Sequence, residues 1–267
     1  MLEIDACALT HMGKVRTNNE DSVSFVRPSD KGPLATHGVL AVVADGMGGH
    51  EGGELASRIA ADAIARSYYG SSAAPPRALE QAFHDASRAV FDTSRENPQL
   101  KGMGTTCVAA AIRGAEAWWA WIGDSRLYLV RDSRIYRMSE DHTLVQDMVR
   151  RGLMTAEEAR NHRDRSVLER AMGTRERIEP GLGHEPIALV AGDRLLLCSD
   201  GLHDLIGDDD LARLAVGRPV VECGDALLHL ALDCGGPDNI SIVLVEARAE
   251  SSTPRRTPGK TREHILG

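Results

Sequence analysis

Four aspartates stand where apolar runs meet turns: Asp45 in Ala-Asp-Gly, Asp124 in Gly-Asp-Ser-Arg, Asp200 in Ser-Asp-Gly and Asp238 in Gly-Pro-Asp-Asn. A single Asp-Gly after an apolar run is an ordinary turn, because both residues suit turns for backbone reasons alone. The combination points elsewhere. Strand ends are rigid anchors, and carboxylates fixed there and aimed at one spot repel each other unless cations intervene. All-oxygen ligation suits hard ions such as Mg²⁺ or Mn²⁺, and the chain offers neither a paired-Cys motif nor a His-Glu-x-x-His helix for zinc. Nearer the start, Arg16 precedes the acidic pair Glu20-Asp21. Its planar guanidinium matches two phosphate oxygens, with a surface ion pair as the plainer alternative.

The elements that must position these groups are legible in the apolar pattern. Residues 39–44 read as a buried strand that ends in the Asp45-Gly46 turn. A helix follows with Leu55, Ile59, Ala63 and Ile64 on one face, and a second, after Pro75-Pro76, carries Leu79, Phe83, Ala86 and Val90. Residues 106–112, 118–122, 127–130 and 135–138 read as a meander of antiparallel hairpins. Polar helical pieces come next, at 142–151 and after the capping box of Thr155 and Glu158. Residues 195–199 form another apolar strand that ends at Asp200-Gly201, followed by helices near 210–216 and 226–233 and a last strand at 240–246. Strands and helices are grouped, which favours antiparallel sheets flanked by helices over a doubly wound parallel sheet. The tail from 249 to 267, with Ser251-Ser252, Pro254 and Pro258, reads as disordered.

Composition sets the outer bounds. The 267 residues carry 31 Lys and Arg against 39 Asp and Glu, a net charge of −8, and no long basic run, which argues against a nucleic-acid binder. The five cysteines show no paired spacing, and the first residues lack a basic, then apolar, leader pattern, so a reducing cytoplasm is the expectation. The apolar runs are too short for a membrane span.

Together, Arg16 through Asp21, Asp45-Gly46-Met47-Gly48-Gly49, Gly104-Thr105-Thr106, Gly123-Asp124-Ser125-Arg126, Asp141-His142, Ser199-Asp200-Gly201 and Asp238-Asn239 resemble, in order, the metal-dependent protein phosphatases of the type 2C family, especially bacterial single-domain members. The resemblance implies an α+β fold: a four-layer α-β-β-α sandwich of two mainly antiparallel sheets, with a helical flap at about 142–173, in a catalytic domain spanning 1–248. It implies two Mn²⁺ or Mg²⁺ ions, with Asp45 bridging them, the Gly46 carbonyl as a ligand, Asp200 and Asp238 on one ion, and Glu20 and Asp21 serving the other partly through water. A third, weaker ion is implied at Asp124 and Asp200, with Asp204 or Ser166 as further candidates. Arg16 would hold the phosphoryl oxygens while a metal-bridging water attacks phosphorus directly, without a phosphorylated enzyme intermediate.

One position departs from many eukaryotic members: Met47 follows the Asp-Gly pair where they carry His. His50 is the nearest imidazole and a candidate general acid, beside the alternatives of a structural His or a metal-bound water. Trp118, Trp119 and Trp121 read as strand packing, and Cys198 as a small core residue. The expected partners are phosphorylated proteins, either the substrates of a bacterial Ser/Thr kinase or the kinase itself, met by a monomer. The competing readings are a non-catalytic phosphoprotein-binding regulator, which would tolerate loss of the acidic residues, and a phosphatase dedicated to one regulatory protein, such as an anti-sigma factor antagonist.

Overall fold

The computed structural model describes residues 2–49, 51–250 and 264–265. Two β-sheets stack face to face, and each carries helices on its outer side. The first has the strand order β13-β1-β12-β11-β7-β8, formed by His264–Ile265, Leu2–His11, Ile240–Ala249, Arg194–Cys198, Arg126–Arg131 and Arg134–Arg137. The second runs β10-β6-β5-β3-β2, formed by Ile187–Ala188, Glu116–Ile122, Cys107–Arg113, Val39–Met47 and Asp21–Val26; β4 (Gly104–Thr105) pairs with β3, and β9 (Gly181–Leu182) with β6. Pairing is antiparallel throughout except between β1 and β13.

The continuous apolar runs are explained by burial on both faces. In β3, Val39, Ala41 and Val43 face the core between the sheets, while Leu40, Val42 and Ala44 face α2 (Glu51–Gly70) and α3 (Pro75–Glu96). In β11, Leu195 and Leu197 point inward, whereas Leu196 and Cys198 meet the opposite helical layer, which contains α7 (Asp208–Leu214) and α8 (Val220–Asp233). The expected four-layer α-β-β-α order is therefore present. Helices α2 and α3 meet largely through alanines, including Ala56, Ala60, Ala82 and Ala86, all fully buried, while the expected Leu55 and Ile59 are only partly covered.

Several expectations need correction. The strand at 39–44 does not turn at Asp45-Gly46: β3 runs on to Met47, because Asp45 pairs with Asp21 and Gly46 with Thr105. The meander is split, since β5–β6 and β7–β8 are hairpins in different sheets and the chain crosses between them at residues 123–125. Strands β1 and β2, helix α1 (Lys31–His37) and the short α6 (Asp200–His203) were not anticipated. The segment expected to form a flap contains α4 (Leu144–Arg150) and α5 (Ala156–Arg160), the latter opened by the Thr155–Glu158 capping box as read. Of the tail expected to be disordered, Ala249 closes β12 and His264–Ile265 lie parallel to β1; residues 251–263 and 266–267 fall outside the described residues.

Candidate metal and active site

Pairing of β2 with β3 puts Asp21 directly opposite Asp45, so two carboxylates share one edge of the second sheet. The backbone around Asp45 is fixed by three contacts: its carbonyl oxygen accepts from Thr106 N–H at 2.9 Å and from Thr105 Oγ1 at 2.8 Å, and Gly46 N–H donates to the Glu20 carbonyl at 3.1 Å. Glycine is required at 46 by close approach, since a Cβ there would collide with the carbonyl oxygens of Gly53 and Glu20. The crossing between sheets is anchored by Thr106 Oγ1, 2.7 Å from Ser125 Oγ, and Asp124 sits at its apex.

The first sheet delivers the other carboxylates. Asp200 follows the end of β11 and opens α6, and Asp238 precedes β12. Ser199 joins the sheets: its hydroxyl donates to Asp21 Oδ2 at 2.9 Å and accepts from Ser241 N–H at 3.0 Å. Asn239 does the same for the loop before β2, accepting from Glu20 N–H at 2.8 Å and donating to the carbonyls of Met12 and Asn18, both at 2.9 Å. In the sequence Ser199 and Asn239 stand out only as members of the Ser-Asp-Gly and Asp-Asn motifs. Their short polar side chains next to acidic strand ends were the available signal.

These elements open a pocket of about 690 Å³ lined by Arg16, Glu20, Asp45, Gly46, Asp124, Ser166, Asp200 and Asp238, eight of the anticipated residues. Asp21 lies behind Asp45 and does not line the pocket. Asp204 is set aside from it, 3.6 Å from Arg165 and 3.4 Å from His203 Nδ1. His203, which was not anticipated, also approaches the Asp124 carbonyl, with Nε2 at 3.0 Å. His50 lies outside the described residues. Arg16 reaches Asp238 Oδ2 at 2.7 Å in a pair that remains half exposed.

Burial pushes Asp21 up to about 7, with Asp200 and Asp238 adding to the rise. Asp45 is held well above the usual carboxylate range by burial and then by Asp21, Asp200, Asp124 and Asp238. Asp124 is raised by burial, then by Asp200 and Asp141. Asp200 is raised by burial, against the pull of His203, with Asp238 and Asp204 adding to it. This pattern is one of crowded negative charge lacking a counter-charge. Asp21 Oδ1 and Asp200 Oδ1 are buried and meet no hydrogen-bond donor. Among the described residues no three His, Cys, Asp or Glu side chains form a ready-made metal cage, so carbonyl and water oxygens would complete any shell, as hard ions permit. The donor set, all oxygen and short of positive charge, fits Mg²⁺ or Mn²⁺.

Comparison with known proteins agrees with this geometry. The family model described as Protein phosphatase 2C matches residues 14–233. The serine/threonine protein phosphatase PstP of Mycobacterium tuberculosis is 38% identical over 240 residues, covering 90% of this chain and 44% of PstP, so the chain spans less than half of that relative's length. The serine/threonine phosphatase stp of Listeria innocua is 32% identical over 243 residues, covering 89% of this chain and 93% of stp. The solved catalytic domain of PstP in complex with two manganese ions superposes with a TM-score of 0.80 at 35% identity, covering 93% of this chain and 100% of that one. With its motifs, two-sheet fold and carboxylate pocket all in agreement, the chain belongs to the protein phosphatase 2C family.

Proposed function

We propose that the chain is a metal-dependent protein phosphatase that hydrolyses phosphoserine and phosphothreonine esters of proteins, with Mn²⁺ or Mg²⁺ as cofactor. The observation that carries this reading is the convergence of Asp45, Asp124 and Asp200, backed by Asp21, on one pocket with Arg16 at its edge. In the ligand set we favour, Asp45, the Gly46 carbonyl, Asp200 and Asp238 would hold the core ions, with Glu20 and Asp21 serving partly through water. Asp124 and Asp200, with Ser166 or Asp204, would hold a third, weaker ion. Bound ions would supply positive charge to the phosphoryl group and lower the pKa of the attacking water.

The residues of the chain do the rest. Arg16 grips two phosphoryl oxygens, and its present pair with Asp238 is half exposed, so giving it up costs only about 0–1 kcal/mol. The fixed backbone at residues 45–46 and 105–106 holds the carboxylates still, so charge neutralisation needs no rearrangement at the moment of reaction. The water releases a proton to solvent as its oxygen bonds to phosphorus, the bond to the Ser or Thr oxygen breaks, and that oxygen takes up a proton, for which His50 is the candidate donor.

Full-length pairing of β1 with β12 makes residues from both ends one sheet, which supports reading 1–248 as a single catalytic domain with a flap at 142–173. No helix among the described residues is long and apolar enough to cross a membrane. A monomer in the cytoplasm, opposing a Ser/Thr kinase, completes the proposal. The test is hydrolysis of para-nitrophenyl phosphate and a phosphothreonine peptide with Mn²⁺, Mg²⁺ or chelator, beside Asp45→Asn. Metal-dependent turnover that falls at least about a hundredfold in the variant is expected; a folded protein inactive with every metal would instead be a regulator.

A further inference from the structure

Part of the pocket's lining comes from the segment 166–175, which contributes two guanidinium groups, Arg170 and Arg175. Among the described residues neither has a carboxylate within ion-pair distance: Arg170 donates to the Glu179 carbonyl at 3.3 Å, and no hydrogen bond or ion pair engages Arg175. Other cations around the site are committed: Arg16 to Asp238, Arg165 to Asp204, and Arg126 to Asp141. Glu169 shares the lining, and Arg170 also borders a small neighbouring cleft with Glu140, Asp147 and Glu169, while Arg150 beside it is paired with Asp147, so Arg175 is the freer of the two cations. In a chain of net charge −8, cations left without an ion pair at the rim of a pocket are a place where an anionic ligand can be recognised.

The segment is also held in place. Met172 exchanges backbone hydrogen bonds with Thr105, N–H to carbonyl at 2.8 Å and 3.1 Å, and Thr105 is the residue that fixes the Asp45 backbone. Gly173 N–H donates to Ser87 Oγ of α3 at 3.3 Å. Arg170 and Arg175 therefore flank two residues tied to the same backbone as the site carboxylates, so the fold fixes where their backbones stand beside the pocket. A pocket of about 690 Å³ holds more than a phosphorylated side chain and lies within the ~300–1,000 Å³ usual for ligand sites.

We propose that Arg170 and Arg175 form a specificity subsite that selects phosphopeptides carrying an Asp or Glu close to the phosphorylated residue. This rests on the phosphatase reading above and adds the class of sequence preferred. The two guanidinium groups would take the flanking carboxylate while Arg16 takes the phosphoryl group, so one anionic peptide would meet both.

Three phosphothreonine peptides that differ only in flanking Glu, Ala or Lys test it with the Mn²⁺-loaded protein, by kcat/KM and, in parallel, by fluorescence anisotropy of peptide binding. The Glu peptide should exceed the Ala peptide by about fivefold at low salt, a margin in the range of one exposed charge pair, and the margin should shrink as salt is added. Arg175→Gln and Arg170→Gln should each bring that ratio towards one, and Arg175→Glu should turn the preference to the Lys peptide. Equal values for the three peptides, or a preference unchanged in Arg175→Glu, would overturn the subsite. Failure of the phosphatase reading looks different: no peptide and no para-nitrophenyl phosphate is hydrolysed, and anisotropy alone then decides whether the subsite discriminates.

Discussion

Asp21 and Asp200 each bury a carboxylate oxygen that meets no donor, and leaving such a group unsatisfied costs about 1–3 kcal/mol, more when it is charged. A side chain kept in that state is serving something other than stability. Replacing Asp200 by Asn removes one charge from a mutually repelling set, so in chelator the variant should melt at the wild-type temperature or above it. Differential scanning fluorimetry should also show that it has lost most of the upward shift produced by Mn²⁺. Arg16 follows the opposite logic. Its ion pair is half exposed, so Arg16→Lys should move Tm by no more than about 3 °C. The loss of the planar fork should nevertheless raise KM for a phosphopeptide on the order of tenfold, because a charge-assisted hydrogen bond to phosphate is lost. A variant with unchanged KM would remove Arg16 from the phosphoryl site.

The elements that carry the site were legible where both faces of a strand are buried. Residues 39–44 and 195–198 are apolar on every side chain, and both end in the aspartates that the chemistry requires. Reading failed where local preference and tertiary pairing disagree. Asp45-Gly46 has the composition of a turn, yet it is held extended between Asp21 and Thr105, partners that local propensity cannot see. The split of the meander at residues 123–125 was hidden for a related reason: alternation shows that a strand exists, not which sheet accepts it. Strand β1 lacks a fully buried run, with only Cys7 and Leu9 buried along it, so its apolar signal is diluted. The extended Gly46 gives a prediction at this scale. In Gly46→Ala the new methyl meets the backbone carbonyls of Gly53 and Glu20, so β3 must move away from α2 and the loop before β2. Overpacking of this kind costs about 1–3 kcal/mol, which should appear as a lower urea midpoint together with weaker Mn²⁺ binding by calorimetry.

For the molecule as a whole, the carboxylate cluster lies across the seam between the two sheets. Asp21 and Asp45 belong to the second sheet, Asp200 and Asp238 flank strands of the first, and Asp124 sits on the crossing. Repulsion within the cluster therefore works against the stacking of the sheets, and a bound cation would hold them together. The sign of the pH dependence follows. Asp21 rises from an unfolded value near 4 to about 7, and Asp45, Asp124 and Asp200 are raised too, so between these limits the native state binds more protons than the unfolded chain. That contribution to stability is complete below about pH 4 and is lost as pH rises through the folded values, to about 7 for Asp21. In chelator, the cluster should lower Tm progressively between pH 5.5 and 8, and Asp45→Asn should flatten the slope. Mn²⁺ reverses the penalty by taking the place of the protons. Its affinity grows as they leave, and an ion at a hundred times its dissociation constant adds about 2.7 kcal/mol to the native state. The gap between Tm with Mn²⁺ and Tm in chelator should thus widen from pH 5.5 to pH 8, read by calorimetry in buffers of equal ionic strength. A gap that stays constant over that range would mean that the aspartates are ionised without metal, and that the seam between the sheets is not held by the cation.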